Sequence, residues 1–167
     1  MGSALACMSA QLSYGNRKFE QYDSKIKELL PQFYDRCQEL SQLIDQDALA
    51  FNSYVDARKL PGKTESEKLK REEMISKGLV QCVQVPFQVI TKAYSLWPYM
   101  KELAPIFNIE TKSDLLVSVK CLETGIYGAY ANVLINLKSF NNNNEEVLLL
   151  GLVITILSFF LFNLKGK

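Results

Sequence analysis

The sequence predicts an all-α protein, built as an antiparallel bundle of long helices. Apolar residues recur in alternating steps of four and three, which is the spacing expected on the inner face of a bundle helix. No stretch shows the apolar and polar alternation that a β-strand of useful length requires. Hydrophobic residues make up 48% of the 167 residues, with 8 glycines and 5 prolines. This composition is typical of one globular domain with its own core.

The first helix is predicted over residues 1–13, and Tyr14-Gly15 ends it. It is rich in small residues, which predict close packing on a neighbouring helix. Because it starts at Met1 without a cap residue, we expect this helix to be incomplete at its N-terminus.

A second, long helix is predicted over residues 17–58, with a bend at Pro31, which cannot donate a helical hydrogen bond. Its predicted inner face consists of Ile26, Leu30, Phe33, Cys37, Leu40, Ile44, Asp47, Phe51 and Tyr54. Asp47 is the only charged member of this face. Residues 59–63 contain a proline and a glycine and are predicted to reverse the chain.

A third helix is predicted over residues 64–103. Thr64 and Glu67 have the spacing of a capping box, in which each side chain accepts a hydrogen bond from the other's backbone N–H. Pro86 predicts a kink, and Trp97-Pro98 predicts a break in the helix.

A fourth helix is predicted over residues 113–139, capped by Ser113 or Thr111. Gly125 and Gly128 lie inside it, and each glycine weakens a helix by about 1 kcal/mol relative to alanine. Their presence predicts that a partner helix or a ligand approaches closely at this point.

The end of the chain has a different composition. Residues 141–144 are all asparagine, and residues 147–164 form an 18-residue stretch without a charge. As a helix, that stretch would measure about 27 Å, close to the apolar thickness of a bilayer. Two interpretations stay open: a membrane tail anchor, or translated non-coding sequence that replaces a helix of the bundle.

Charge and residue content exclude several classes of function. The 19 basic and 18 acidic residues leave a net charge of +1, so nucleic acid is not expected as a partner, because phosphate binding needs a basic excess. The chain has no histidine, which excludes His-dependent nucleophiles and His-ligated metals, and no metal site is predicted. The four cysteines are widely spaced and are predicted to be buried, reduced thiols of a cytosolic protein.

Asp47 is the strongest candidate for chemistry. Burial disfavours the charged form of a carboxylate, and a carboxyl that exchanges protons near neutral pH can act as a general acid or base. An ion pair with a lysine or arginine is the alternative interpretation. Asp45 points to another face of the same helix. Asn132 and Asn136 share one face of the fourth helix and predict either an interhelical hydrogen bond or a bound polar ligand. The position of Asp114, at the start of the fourth helix, favours an ordinary N-terminal helix cap.

Several stretches resemble one known family. They are residues 12–19, 43–51, 59–61, 95–98, 112–115 and 125–137. The most specific motifs are D-x-D-A-x-A-F at residues 45–51 and G-A-Y-x-N-V-L-I-N-L at residues 128–137. In order and spacing they resemble the cyclodeaminase domain of formiminotransferase-cyclodeaminase, within the cyclodeaminase/cyclohydrolase family.

The resemblance implies a helical domain that forms homodimers or higher homo-oligomers and binds folate near a helix interface. It implies that Asp47, the second aspartate of the D-x-D-A motif, is the catalytic residue. The residues expected to bind substrate are Asp114, Asn132, Asn136, Asp45 and Lys59.

The implied reaction is that of a formimidoyltetrahydrofolate cyclodeaminase, an ammonia-lyase of one-carbon metabolism and histidine catabolism. It closes 5-formimidoyltetrahydrofolate to 5,10-methenyltetrahydrofolate and releases ammonia, with no cofactor beyond the folate substrate. Two alternatives stay open: a methenyltetrahydrofolate cyclohydrolase, and an inactive helical protein that acts through dimerisation or a tail anchor. The expected location is the cytoplasm, or a membrane if the apolar tail is genuine.

The resemblance covers residues 1–140, which are expected to form the cyclodeaminase-like bundle, followed by a linker and apolar tail at residues 141–167. The family's G-G-G-S turn, which would precede the first helix, is missing from this sequence. The transferase half of the bifunctional enzyme is missing as well, so no transferase activity is predicted.

Overall fold

The computed structural model describes residues 1–140, and the regular structure within them is entirely helical. The predicted all-α fold is therefore confirmed. The helices are α1 (Gly2–Ser13), α2 (Asp23–Arg58), α3 (Glu65–Tyr94), α4 (Trp97–Leu103) and α5 (Lys112–Leu137). Short 3₁₀ turns at Glu20–Tyr22 and Ile109–Thr111 precede α2 and α5. The predicted linker and tail at residues 141–167 lie outside the described residues.

Helix α2 begins at Asp23, six residues later than the sequence predicts. Gly15 has a positive φ of 71°, a conformation that glycine adopts without strain. Its backbone N–H donates to Asp23 Oδ1 over 2.9 Å, and the Lys18 N–H donates to Asn16 Oδ1 over 3.1 Å. These side-chain hydrogen bonds hold the segment in a turn and delay the start of the helix.

The capping box at the start of α3 is present as predicted. The Glu67 N–H donates to Thr64 Oγ1 over 3.2 Å, and the Thr64 N–H donates to Glu67 Oε2 over 3.0 Å. The backbone hydrogen bonds of Thr64 and Lys63 lower the pKa of the Glu67 carboxyl.

The predicted cap of α5 was wrong. Ser113 lies inside the helix, and Asn108 begins the preceding 3₁₀ turn, where its Oδ1 accepts from the Glu110 N–H over 3.1 Å. Thr111 Oγ1 donates to the Asn108 carbonyl over 2.8 Å and lies 2.6 Å from Ser9 Oγ. The threonine hydroxyl therefore ties this turn to α1 and does not cap α5.

Two compact units make up the fold. The first comprises Met1–Asp45 and Gln88–Gly128. Its core includes Ile26, Leu29, Phe33, Ile90, Leu96 and Leu103, each at most 1% exposed. A Cβ on Gly2 would lie 2.9 Å from the Ser118 carbonyl oxygen, which confirms that the small residues of α1 pack closely on a neighbouring helix.

The second unit comprises Gln46–Phe87 and the described part of Ala129–Lys167. The end of α2 and the start of α3 form an antiparallel helical hairpin, joined by residues 59–64, which include the predicted turn at residues 59–63. A Cβ on Gly78 would lie 2.8 Å from Tyr54 Cα, so the two helix backbones approach closely there. The end of α5 packs on α3 in the same unit through Asn136.

No close packing within the described residues accounts for Gly125 and Gly128. Both are exposed, and a Cβ on either would meet no described atom within 4 Å. The predicted close neighbour is thus absent from residues 1–140. None of the helices in this range has the length and apolar character to cross a membrane.

Candidate active site

Asp47 lies on the face of α2 that is buried within the chain. Leu43, Ala50 and Ala57 on this face are between 3% and 5% exposed, and Asp47 and Tyr54 between them are half-buried. The carboxylate therefore stands among apolar neighbours and keeps access to solvent.

The predicted inner face of α2 was wrong in its second half. Ile44 and Phe51, both assigned to the core, are 71% and 58% exposed. The observed face is turned by about 100°, the angle between consecutive residues of a helix. Asp47 and Tyr54 lie near the boundary of the two faces, which is why they belong to both.

Asp47 lies close enough to Cys82 of α3 to affect its ionisation. Burial raises the pKa of the Cys82 thiol, and the negative charge of Asp47 raises it further. Cys82 is 4% exposed, and both effects favour the neutral form of its thiol.

Asn136 of α5 reaches the backbone of Cys82, and Asn132 of the same helix is bonded to Asn136. The Asn136 Nδ2 group donates to the Cys82 carbonyl oxygen over 2.7 Å and to Asn132 Oδ1 over 3.1 Å. We call Asn132 and Asn136 the amide pair, and Asp47, Cys82 and the amide pair together the Cys82 cluster. The cluster joins three helices of the second unit.

The cluster contains the groups that proton transfer to a polar ligand requires. Asp47 can accept and return a proton, and the amide pair can donate and accept hydrogen bonds. Both amides are half-buried, so part of each side chain remains open to a ligand. Within residues 1–140, no three Cys, Asp or Glu side chains converge in the manner of a metal site.

Lys59 is not brought to the cluster. Its Nζ pairs with Asp56 Oδ1 over 2.8 Å, and its side chain is 70% exposed. It follows Asp47 by twelve residues, which corresponds to about 18 Å along a helix axis. Lys59 therefore forms an ordinary surface ion pair at the end of α2.

Asp45 and Asp114 belong to the first unit. Asp45 is exposed on α2 and points away from Asp47, because two residues turn a helix by roughly 200°. Asp114 is half-buried in the first turn of α5, where an acidic side chain stabilises the helix N-terminus. For both residues, a role in substrate binding stays a prediction.

The sequence reasoning missed Cys82, which it treated only as a buried thiol. A signal was available in Pro86, four residues further along α3. Proline has no N–H, so the carbonyl four residues before it loses its helical hydrogen bond. An asparagine elsewhere in the chain is a natural partner for that free carbonyl.

Comparison with known proteins gives the family. The family model of formiminotransferase-cyclodeaminase matches residues 1–148. The chain belongs to this family. It is 44% identical over 143 residues to formimidoyltransferase-cyclodeaminase of Sus scrofa, covering 86% of the chain and 26% of that protein. The relative from Gallus gallus is 42% identical over 142 residues, covering 85% of the chain and 26% of that protein.

Two further relatives bear on fold and reaction. The crystal structure of formiminotetrahydrofolate cyclodeaminase from Thermotoga maritima matches with a TM-score of 0.70 and 25% identity, over 85% of this chain and 67% of that one. Methenyltetrahydrofolate cyclohydrolase of Methylorubrum extorquens is 27% identical over 142 residues, covering 85% of the chain and 68% of that protein. The chain spans about a quarter of the length of the formimidoyltransferase-cyclodeaminases that it matches.

Proposed function

We propose that the chain is a formimidoyltetrahydrofolate cyclodeaminase, which converts 5-formimidoyltetrahydrofolate to 5,10-methenyltetrahydrofolate and ammonia. The observation that carries this proposal is the Cys82 cluster. In a chain of the formiminotransferase-cyclodeaminase family, it combines a half-buried carboxylate with hydrogen-bonding amides.

The reaction needs one proton to be moved between two nitrogens of the substrate. N10 of the folate attacks the carbon of the protonated formimidoyl group, N5–CH=NH2⁺, which forms the N10–C bond and turns the iminium nitrogen into a neutral amine. Asp47 takes the proton from N10 and returns it to that amine. Ammonia then leaves with the electrons of the C–N bond, and the N5–C–N10 unit closes as the methenyl cation.

Asp47 is suited to this step because its side chain lies among apolar residues and is still partly exposed to solvent. Its neighbours on α2 are apolar, and the partial exposure of its side chain leaves room for the substrate. Holding N10 near the formimidoyl carbon contributes the rest of the rate enhancement, since an oriented intramolecular attack is much faster than a random one. The chemistry uses no cofactor besides the folate itself.

A methenyltetrahydrofolate cyclohydrolase is the second candidate, and the Methylorubrum extorquens relative favours it. In that reaction water attacks the methenyl carbon of the closed ring, and a carboxylate in the place of Asp47 would accept the proton of the water. An inactive protein that acts only through association is the third.

Supplying the purified full chain separately with each folate distinguishes the candidates. A cyclodeaminase releases ammonia from 5-formimidoyltetrahydrofolate and accumulates the methenyl product. A cyclohydrolase consumes 5,10-methenyltetrahydrofolate faster than buffer does. If the chain consumes only 5,10-methenyltetrahydrofolate, the proposed cyclodeaminase is wrong and the chain is a cyclohydrolase. If it consumes neither folate, the inactive protein is the remaining candidate.

We propose further that the chain acts as a homodimer or higher homo-oligomer in the cytoplasm, in one-carbon metabolism and in histidine catabolism. The exposed apolar residues of α2 support association, because Ile44 and Phe51 have no other cover within residues 1–140. Histidine catabolism follows from the origin of the formimidoyl group in the proposed substrate.

A further inference from the structure

Pro86 leaves one backbone carbonyl of α3 without its helical partner. In a regular helix the N–H of residue 86 would donate to the carbonyl of Cys82, four residues earlier. Proline has no N–H, and its ring also presses that carbonyl away from the helix axis. The Cys82 carbonyl must therefore find another donor, because a buried carbonyl without one is costly.

Asn136 supplies that donor and is oriented by it. A carbonyl oxygen only accepts hydrogen bonds, so the Asn136 amide must turn its Nδ2 group, and not its Oδ1 atom, toward Cys82. The observed distance from Nδ2 to the Cys82 oxygen is 2.7 Å. Pro86 thus determines which way round the Asn136 amide lies.

The orientation of the Asn136 amide also determines the orientation of the Asn132 amide. The second hydrogen of Asn136 Nδ2 points to Asn132 Oδ1 over 3.1 Å, so the Asn132 amide must present its oxygen to Asn136. This leaves Asn136 Oδ1 as an acceptor and Asn132 Nδ2 as a donor. Neither atom has a hydrogen-bond partner within residues 1–140.

We infer that the amide pair reads the lactam edge of the pterin ring, and that Pro86 is the positioning residue that sets its polarity. This inference rests on the proposed function, since it assigns the ring of that substrate to the amide pair. Asn132 Nδ2 donates to the 4-oxo oxygen, and Asn136 Oδ1 accepts from the neighbouring N3–H. Cys82 links the two parts of the site, because its carbonyl holds Asn136 and its thiol is affected by the charge of Asp47, the base that serves N10.

A 4-amino pterin presents the opposite pattern. Its 4-amino group donates where the 4-oxo group accepts, and its N3 accepts where N3–H donates. An oriented amide pair therefore distinguishes tetrahydrofolate from its 4-amino analogue, because the wrong analogue leaves two polar groups facing groups of like polarity. We expect the full chain to bind tetrahydrofolate about tenfold or more tightly than the 4-amino analogue.

Pro86→Ala tests the origin of the orientation. Alanine restores the N–H that donates to the Cys82 carbonyl, so Asn136 loses its fixed partner and both amides can turn over. Discrimination between the two pterins should fall from about tenfold to near unity, although the helix itself becomes more stable. Pro31→Ala is the matched control, because Pro31 is also inside a helix but is exposed on the part of α2 in the first unit.

Asn132→Asp tests the polarity of the pair directly. The introduced carboxylate would keep an oxygen for Asn136 Nδ2 but replace the free donor by an acceptor. Each pterin then has one matched and one mismatched contact, so the preference for tetrahydrofolate should fall to near unity. Asn52→Asp, at an exposed position of α2, controls for the added charge.

The measurements are dissociation constants of tetrahydrofolate and its 4-amino analogue, by calorimetry on the full chain and its variants. Unchanged discrimination in both Pro86→Ala and Asn132→Asp overturns the inference, as does a wild-type chain that binds the two pterins equally or not at all. If the wild-type chain discriminates but releases no ammonia, the proposed function fails and the inference stands. If it releases ammonia but binds the two pterins equally, the proposed function stands and the inference fails.

Discussion

Asp47 carries its charge close to a buried thiol, and that pairing defines the environment in which it works. Cys82 is held neutral by burial and by the negative charge of Asp47, both of which raise the pKa of the thiol. The Asp47 side chain is only half-buried, so its carboxylate remains open to a ligand.

We expect Asp47→Asn to lower the pKa of Cys82, since the neutral amide removes the charge that disfavours the thiolate. The measurement is the pH profile of Cys82 alkylation, followed by mass spectrometry of the peptide. The profile should move to lower pH, with Cys121 of α5 in the same sample as the internal standard.

The sign of the accompanying stability change also follows. A pKa raised in the folded state means that the thiol's contribution to stability is complete below the unfolded-state pKa and is lost as the pH rises through the folded value. Asp47→Asn should therefore weaken the alkaline loss of stability due to Cys82. An alkylation profile that stays in place would mean that the two side chains do not interact.

At the scale of the helix, α2 illustrates what a sequence determines and what it leaves open. Steps of four and three fit two neighbouring faces of α2, one through Ile44 and Phe51 and the other through Leu43 and Ala50. Asp47 lies near the boundary and belongs to both. The sequence favours the face with larger side chains, but the fold buries the one with alanines, because α3 approaches closely there.

The helix limits were more predictable than the buried faces, because they depend on local chemistry. The capping box at Thr64 and the turn at residues 59–63 depend on interactions within a few residues, so both could be predicted directly from the sequence. The late start of α2 depended on a hydrogen bond from Gly15 to Asp23, which the hydrophobic pattern does not contain.

Gly78→Ala tests the close approach of α2 and α3. The added Cβ would lie 2.8 Å from Tyr54 Cα and 3.1 Å from Tyr54 N, so one backbone must move. We expect a loss of about 1–3 kcal/mol in the free energy of unfolding, measured by urea denaturation.

Gly128→Ala is the matched control for that substitution. Gly128 is also inside a helix, but its Cβ would meet no described atom within 4 Å. Alanine there should stabilise α5 by up to about 1 kcal/mol. Equal losses in the two variants would show that helix propensity and close packing do not separate these glycines.

At the scale of the whole molecule, the sequence was sufficient for the fold class and for part of the site. The motif residues Asp47, Asn132 and Asn136 were singled out in advance, and the structure brings them to the Cys82 cluster. Cys82 and Pro86 were not recognised as part of it, because the free carbonyl acquires meaning only when α5 packs beside α3. The apolar tail at residues 147–164 lies outside the described residues, and its two interpretations remain predictions.

The exposed apolar face of α2 gives a prediction about association. Phe51 is 58% exposed and is not part of the buried core of the described residues. If this face forms the proposed oligomer, Phe51→Ser should weaken association about tenfold or more without destabilising the monomer. Sedimentation equilibrium measures the change.

Leu69→Ser is the control for that experiment, since Leu69 is 65% exposed among the charged residues at the start of α3. It should leave the association constant unchanged. A wild-type chain that sediments as a monomer at all concentrations would rule out association through α2.

Ammonia release by Asp47→Asn tests the central claim most directly. Asparagine keeps the size of the side chain but cannot take the N10 proton, so we expect the turnover number on 5-formimidoyltetrahydrofolate to fall by about 10²–10⁴-fold. Helix content and substrate binding should persist, and Asp35→Asn, at an exposed position of the same helix, should have wild-type activity. Full ammonia release by Asp47→Asn would contradict the assignment of proton transfer to this carboxylate.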